Sequence, residues 1–436
     1  MLAGKTLDIA VVGGGISGLS AAWLLGGRHR VTLYEGEGRI GGHSHTVMVG
    51  ETPVDTGFIV YNEPSYPNLT ALFAHMDVPT KPAEMSFAVS LDEGRLEYSG
   101  TDLGGLFAQK RNLLRPRFWG MLRDLERFYR LAPKDLPGLG DVGLGKYLDY
   151  LECGAGFRED HLYPMAAAIW STPVRDIPDY PAAAFIRFCQ NHGLLTLGAR
   201  PQWRTVDGGS RAYVARLLAG VRGQVLTGQG VERIVRVEGG VDITSQGATR
   251  RFDHVVVAAH ADQALAMLGD ADEAERRLLG AMTYRPNETV LHSDTRAMPR
   301  RQRVWSSWNY ASRGASHGGA QGPDLSVTYW MNRLQGLPET PPLFVTLNPL
   351  VEPDPALVHH RQTWHHPVFD AAAGKAQGQL WSLQGQRNTW FCGAYFGAGF
   401  HEDGLQAGLA VAEQLGGVRR PWVVEQESGR IQLVPA

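Results

Sequence analysis

The pattern that most restricts this chain lies within its first 35 residues. Asp8-Ile9-Ala10-Val11-Val12 is a short, nearly continuous apolar run, and it leads directly into Gly13-Gly14-Gly15-Ile16-Ser17-Gly18. A run of that kind suits a strand buried on both faces, as in a parallel sheet. Ile16, Leu19, Trp23 and Leu24 then recur at helical spacing until Gly26-Gly27 stops the pattern. Arg30-Val31-Thr32-Leu33-Tyr34-Glu35 reads as a second strand ending in an acid, so the three elements form a right-handed βαβ unit. Gly13 makes the tight turn, Gly15 lets a pyrophosphate approach where any Cβ would collide, and Gly18 lets the helix close on the sheet. The helix start, with Ile16 and Ser17, offers free N–H groups and a positive dipole end. Glu35, followed by Gly36, can accept hydrogen bonds from both hydroxyls of an adenosine ribose and would repel a 2′-phosphate. A lone glycine turn could be purely structural; strand, turn, helix, strand and acid in this order predict a dinucleotide site.

At 436 residues the chain exceeds one domain of about 150. Lys and Arg number 42 against 44 Asp and Glu, a formal net charge of -2, which excludes a basic nucleic-acid binder. The hydrophobic fraction of 43% and 53 glycines describe a globular, turn-rich chain. Cys153, Cys189 and Cys392 show no C-x-x-C spacing, so neither a disulfide framework nor a zinc knuckle is expected, and a reducing cytoplasm is. Lys5 before the first apolar run resembles a very short signal peptide, but three glycines interrupt it without a cleavage site. No segment approaches the ~18 apolar residues of a membrane span.

Sheet material returns far along the chain. Val231-Glu232-Arg233-Ile234-Val235 and Val241-Asp242-Ile243-Thr244 read as two strands of a meander joined through Gly239-Gly240. Phe252 to Ala259 and Asn388 to Gly393 read as buried strands, the latter followed by a helix over roughly 404–415. The expected fold is α/β: a Rossmann-like domain with a parallel sheet and a β-meander, interleaved with an α+β substrate lobe. The nucleotide domain is drawn from 1–80, 200–264 and 386–418, and the lobe from 81–199 and 265–385.

Three features favour FAD over NAD. Arg39 and the pair Gly41-Gly42 follow the ribose acid, a cation near the pyrophosphate in a loop without obstructing side chains. Asp55-Thr56-Gly57 adds an acid and a glycine beside the path of an extended cofactor. Phe391-Cys392-Gly393 leads to His401-Glu402-Asp403-Gly404-Leu405 at a second helix start, suited to an electron-rich flavin ring.

With the Asp207-Gly208-Gly209 turn and the Val231 strand, these motifs span residues 8–410. In them the chain resembles the FAD-dependent amine oxidase superfamily, which includes monoamine and polyamine oxidases, protoporphyrinogen oxidase and the carotene desaturases. The resemblance implies noncovalent FAD, an interrupted FAD domain and a separate substrate lobe. The expected cofactor contacts are Gly13, Gly15, Ile16, Ser17, Gly18, Glu35, Gly36, Arg39, Gly41, Gly42, His43, Asp55, Gly57, Val231, Gly393, Glu402, Gly404 and Leu405. Against the amine-oxidising members, His43 stands where a second Arg is usual, Ala394 replaces an acid, Leu405 falls where an aromatic cage residue belongs, and no counterpart of the flavin-side lysine is found.

Gly41-Gly42-His43, Thr56 to Asn62, Met165 to Ser171 and Phe391 to Tyr395 resemble a subgroup of bacterial flavoproteins encoded beside cyclopropane-fatty-acyl synthases. That resemblance implies an unsaturated or methyl-branched acyl chain as substrate and an acyl-modifying methyltransferase as partner. Independently, residues 104–130 carry Lys110, Arg111, Arg115, Arg117, Arg123, Arg127 and Arg130 against Asp124 and Glu126, interleaved with Leu106, Phe107, Leu113, Leu114, Phe118 and Trp119. Such a segment can lie on an anionic lipid surface or form a lobe helix with its charged face in water, and Pro116 must sit near a helix start. A cytoplasmic protein at the inner membrane surface is expected. His43, His45 and Tyr395 are the candidate catalytic residues; a neutral imidazole near the flavin could move a proton or simply hydrogen-bond the cofactor. His359-His360 and His365-His366 lack the spacing of ligands on one helical face, so no metal is expected, and Cys392 reads as a core thiol. The leading expectation is an FAD oxidoreductase of dehydrogenase or desaturase type, with a flavin amine oxidase and a flavin-binding accessory protein without turnover as alternatives.

Overall fold

The computed structural model describes residues 5–170, 174–195, 201–314 and 324–433. Ser171 and the segment boundary at 199/200 lie outside the described residues. The apolar run after Leu7 becomes the central strand, Asp8–Val12, of a five-stranded parallel sheet. Across the sheet the strands run Gly223–Leu226, Arg30–Tyr34, Asp8–Val12, His254–Val257 and Thr389–Phe391. Ile9, Val11, Leu33, Val255 and Phe391 are fully buried in it, as strands covered on both faces require. Three separated stretches of chain therefore build one sheet. The fingerprint helix, Ile16–Leu25, packs on the C-terminal helix, His401–Gly416, where a Cβ on Gly408 would lie 2.2 Å from Ser17 O.

Two details depart from the expected strands. The stretch from Phe252 to Ala259 is two elements, because Asp253 turns the chain: its N–H reaches Asp8 O (2.8 Å) and its carboxylate accepts from Asp8 N–H (2.8 Å). Phe252 thus closes a third strand of the meander, Ala248–Phe252, after Val231–Val237 and Gly240–Ser245. The edge strand Gly223–Leu226 had no counterpart among the expected elements.

The second lobe is a seven-stranded sheet in the order Val358–Val368, Thr283–His292, Phe344–Leu347, Asp324–Trp330, Trp308–Arg313, Phe87–Leu91 and Leu96–Ser99. Helices Leu144–Tyr150, Tyr163–Trp170 and Ala182–Asn191 join Pro116–Asp135 around a core that includes Phe128, Phe157 and Phe185. The strand Thr80–Ala83 pairs with Trp203–Val206, which also pairs with Val60–Asn62, so the expected boundary at 80/81 cuts through a three-stranded sheet. The basic stretch is not one helix. It comprises Leu103–Leu106, a 3₁₀ segment Lys110–Leu114, and Pro116–Asp135, with Pro116 at the first helical position, where its missing N–H does no harm. Among the described residues no helix is long and apolar enough to cross a membrane.

Candidate active site

A cavity of about 1300 Å³ runs from the glycine turn, past the C-terminal helix start, into the second lobe. At its first end the backbone of Gly13, Gly14 and Gly15 forms the wall, with Ile16, Ser17, Glu35, Gly36 and Val231. Gly13 has φ +106°, a conformation open to glycine. The first intrahelical bond joins Leu19 N–H to Gly15 O, leaving the N–H groups of Ile16, Ser17 and Gly18 free of the helix ladder, as at any helix start. A Cβ built on Gly15 meets nothing within 4 Å.

Glu35 is held at the tip of its strand by Gly14 N–H (2.7 Å) and Glu37 N–H (2.8 Å). Each oxygen so engaged keeps a further lone pair for a ribose hydroxyl. Two such charge-assisted bonds contribute on the order of 2–4 kcal/mol, so Glu35→Ala should raise the FAD dissociation constant tens-fold or more. Titrating apoprotein with FAD checks this, and an unchanged constant would refute the ribose assignment.

Midway, Gly41, Gly42, His43, Gly57, Gly393, Tyr395 and His401 line the wall. His43 stacks on Trp364 with centroids 4.5 Å apart, and its ring lies 5.7 Å from His260 and 6.1 Å from His366. Burial, with the neighbouring imidazoles, pushes its pKa well below the usual histidine range, so it is neutral at pH 7. His401 stacks on Phe58 at 4.0 Å and shares a 2.6 Å hydrogen bond with Tyr213; burial pushes it down to about 3. Tyr395 is buried, and its hydroxyl has no hydrogen-bond partner. Burial pushes that phenol up, so it stays protonated and can donate.

Several expected contacts stand behind the wall. Asp55 is buried and its carboxylate is taken up by Thr46 Oγ1, Ser210 N–H, Ser210 Oγ and Gln335 Nε2 at 2.6–3.0 Å. Glu402 accepts from Asn68 N–H, Asn68 Nδ2, Leu69 N–H and Gln406 Nε2 at 2.9–3.0 Å, so it ties the C-terminal helix to Pro67–His75. Leu405 is fully buried, and Gly404 provides close approach to Ser17 and Ile16. Gly18 serves the turn itself. Arg39 pairs with Glu37 (3.0 Å) and lies over the Trp364 ring. His45 bonds Thr56 Oγ1 (2.9 Å) beside His360, directly behind the wall residues Thr56 and Trp364. Gly18, Arg39, His45, Asp55, Glu402, Gly404 and Leu405 thus stand outside the set of residues that line the cavity.

Trp364, His366 and Phe58, absent from the expected set, line the cavity. For Trp364 and His366 the signal was strand period: along Val358–Val368, His360, Gln362, Trp364 and His366 alternate with the exposed His359, Arg361, Thr363 and His365. That alternation splits both histidine pairs between faces. Among the described residues no cluster of metal-ligating side chains forms, and all three cysteines are buried and free.

The model of the NAD(P)-binding Rossmann-like domain matches residues 11–76, and that of the flavin containing amine oxidoreductase matches 181–296. In the second stretch the chain is similar to the flavin containing amine oxidoreductases. A Mycobacterium tuberculosis superfamily protein named "Putative flavin-containing monoamine oxidase AofH" is 29% identical over 268 residues, 58% of this chain and 57% of that protein. The chain thus aligns with little more than half of that relative's length. In fold, the CLA-producing fatty acid isomerase from P. acnes matches 94% of this chain and 98% of its own, with TM-score 0.65 and 16% identity. The cyclohexylamine oxidase of Brevibacterium oxydans IH-35A matches 94% and 100%, also at TM-score 0.65 and 16% identity. The cofactor is FAD, and the cavity fits it: the Gly15 cradle that a side chain would fill and the Glu35 carboxylate both face it.

Proposed function

We propose that this chain is a member of the FAD-dependent amine oxidase superfamily and an FAD-dependent oxidoreductase acting on an apolar chain, an unsaturated or methyl-branched fatty acyl group drawn from an anionic lipid surface. The observation that carries the reading is the arm of the cavity in the second lobe. Met85, Phe87, Met165, Ile169, Leu334 and Val345 are among its walls. The acid lining that arm, Glu84, is neutralised by an ion pair with Arg333, whose Nη1 also bonds Trp305 O (3.1 Å). FAD, when bound, supplies acceptance of hydride or electrons from a carbon centre. Gly13, Gly15, Glu35 and Gly42 would hold it, neutral His43 would hydrogen-bond at its reacting end beside the Tyr395 ring, and the apolar walls would exclude water.

The arm reaches the surface at Gly100 and Thr101. Beside them Leu103 is 75% exposed, and farther along the same stretch Leu114 is 85% and Trp119 50% exposed, near Lys110 and Arg111. An apolar rim with basic flanks suits anionic headgroups. Arg117 is no part of that rim, because it binds Glu159 (2.8 Å) and the buried Asp160 (2.6 Å). Lys110→Glu and Arg111→Glu together should therefore lower affinity for phosphatidylglycerol vesicles roughly thirtyfold, at ~1 kcal/mol per basic residue, with FAD content unchanged. Vesicle co-sedimentation measures this, and unchanged sedimentation would refute the surface reading.

The activity is tested by mixing FAD-loaded protein anaerobically with unsaturated phospholipid and following flavin absorbance and lipid mass. Bleaching with loss of a hydrogen pair identifies dehydrogenation, unchanged mass with a shifted double bond identifies isomerisation, and no lipid change refutes the acyl reading. AofH's name and the likeness to cyclohexylamine oxidase favour an amine instead. A cation held between rings needs a gap, yet the arm's rings touch: Phe188 lies 4.7 Å from Phe400 and 4.8 Å from Trp170.

A further inference from the structure

Gly100, Phe87, Trp308, Tyr329 and Val345 form one row across an end of the seven-stranded sheet. Gly100 N–H bonds Phe87 O (3.1 Å), and Phe87, Trp308, Tyr329 and Val345 are successive register partners. The whole row lines the cavity. Just beyond it, Glu84 precedes the strand Phe87–Leu91, and Arg333 follows the strand Asp324–Trp330 on the short helix Met331–Leu334. The two therefore sit at the same sheet end as Gly100 and Thr101, where the arm reaches the surface. Arg333 Nε donates to Glu84 Oε2, and Glu84 Oε1 accepts from Ser86 Oγ (2.8 Å). Both side chains line the cavity and keep accessible surface, 33% for Arg333 and 41% for Glu84. Arg333 Nη1 bonds Trp305 O (3.1 Å), whereas Nη2 is not buried and makes no hydrogen bond to any described residue.

Each Glu84 oxygen already has a donor, so what the pair offers a ligand is spare N–H groups without net charge. We propose that Arg333 is a specificity-determining residue whose Nη2 donates to the carbonyl oxygen of an uncharged acyl ester, with Glu84 cancelling the charge that would otherwise call for a carboxylate. The inference rests on the apolar reading of the arm and adds the form in which the chain enters, esterified rather than as the free acid. A carboxylate here would leave a net negative charge among apolar walls, which costs more than seating a neutral acceptor. Tyr329 and Thr101 line the same region and can add hydrogen bonds. Of the Asp, Glu, Lys and Arg side chains on the cavity wall, however, Glu35 and Glu37 stand at the nucleotide end, and Glu84 and Arg333 alone stand in the arm. That pair sets the preferred charge of the ligand's head.

The test is calorimetric titration of the FAD-loaded protein with methyl octanoate, octanoate and octylammonium. The ester should bind about tenfold more tightly than octanoate, and Glu84→Gln, which leaves Arg333 uncompensated, should shift that ratio at least about tenfold toward octanoate. Any apolar pocket favours an ester over an acid, so the shift is the deciding observation. In the unsubstituted protein the infrared carbonyl stretch of bound methyl octanoate should fall below its value in hydrocarbon solvent, which keeps the test open if Glu84→Gln does not fold. Tighter binding of octanoate to the unsubstituted protein, a smaller shift in Glu84→Gln, or a carbonyl stretch at its hydrocarbon value would each overturn the role of the pair and leave the apolar arm standing. Absence of binding by both ester and acid would overturn the arm reading and, with it, this proposal. Preference for octylammonium over methyl octanoate would overturn the ester assignment and move the substrate to amines.

Discussion

Gly15→Val is expected to leave a folded protein with less than a tenth of its FAD, while Gly18→Val, three residues on, is expected to unfold. Gly15 has φ -70° and ψ 179°, a conformation valine adopts freely, and its Cβ would meet no protein atom within 4 Å. The apoprotein should therefore lose only the ~1 kcal/mol or so of a poorer helix cap. The same side chain would occupy the space the pyrophosphate needs. A Cβ on Gly18 would lie 1.9 Å from Gly13 O and 2.9 Å from the Ala258 Cβ, so the helix could not close on the sheet. Flavin content after gel filtration and the thermal midpoint separate the two outcomes. Full flavin retention in Gly15→Val would refute the placement of the phosphates.

Asp55→Ala should be among the most destabilising single replacements in the chain. Its carboxylate gathers Thr46, Ser210 and Gln335, and its own N–H bonds Gln335 Oε1 at 2.9 Å. Truncation leaves those donors buried without an acceptor, a loss on the order of 3–5 kcal/mol, measurable by urea unfolding. A loss below ~1 kcal/mol would count against the bracing role. Burial pushes Asp55 up to about 6 against the pull of its donors, from an ordinary 3.8. A raised folded pKa means the native state holds the proton more tightly, so this stabilisation is full below about pH 4 and is lost as pH rises through about 6. The margin of the unsubstituted protein over Asp55→Asn should shrink across that window.

The turn from Val12 to Gly18 was legible because every determinant is local: an apolar run, spaced glycines, a helical period and a terminal acid. The Gly223–Leu226 strand was not, because its only argument for being a strand is the distant Arg30–Tyr34 edge it completes. Asp55 and Glu402 look like cofactor ligands in sequence, each an acid close to a glycine. Only three dimensions reveal that protein donors already saturate both carboxylates. His366 was missed as a wall residue for another reason, a helical period tested where the chain is extended. Once Val358–Val368 is known to be a strand, Trp364 and His366 fall on one face without further information.

Assembly of the parallel sheet from three distant stretches has a temporal consequence. The strand Asp8–Val12 leaves the ribosome first, yet its neighbour His254–Val257 follows only after tens of seconds at 5–20 residues per second, and the far edge Thr389–Phe391 comes later still. During that interval the early βαβ unit exposes an unpaired apolar edge, the kind of surface that chaperones cover and aggregates share. The helix His401–Gly416, which shuts the flavin end, is made after all five strands. Cofactor capture is thereby postponed until this helix has been made, so supplementing a culture with riboflavin should rescue molecules that already carry it and do little for shorter nascent chains.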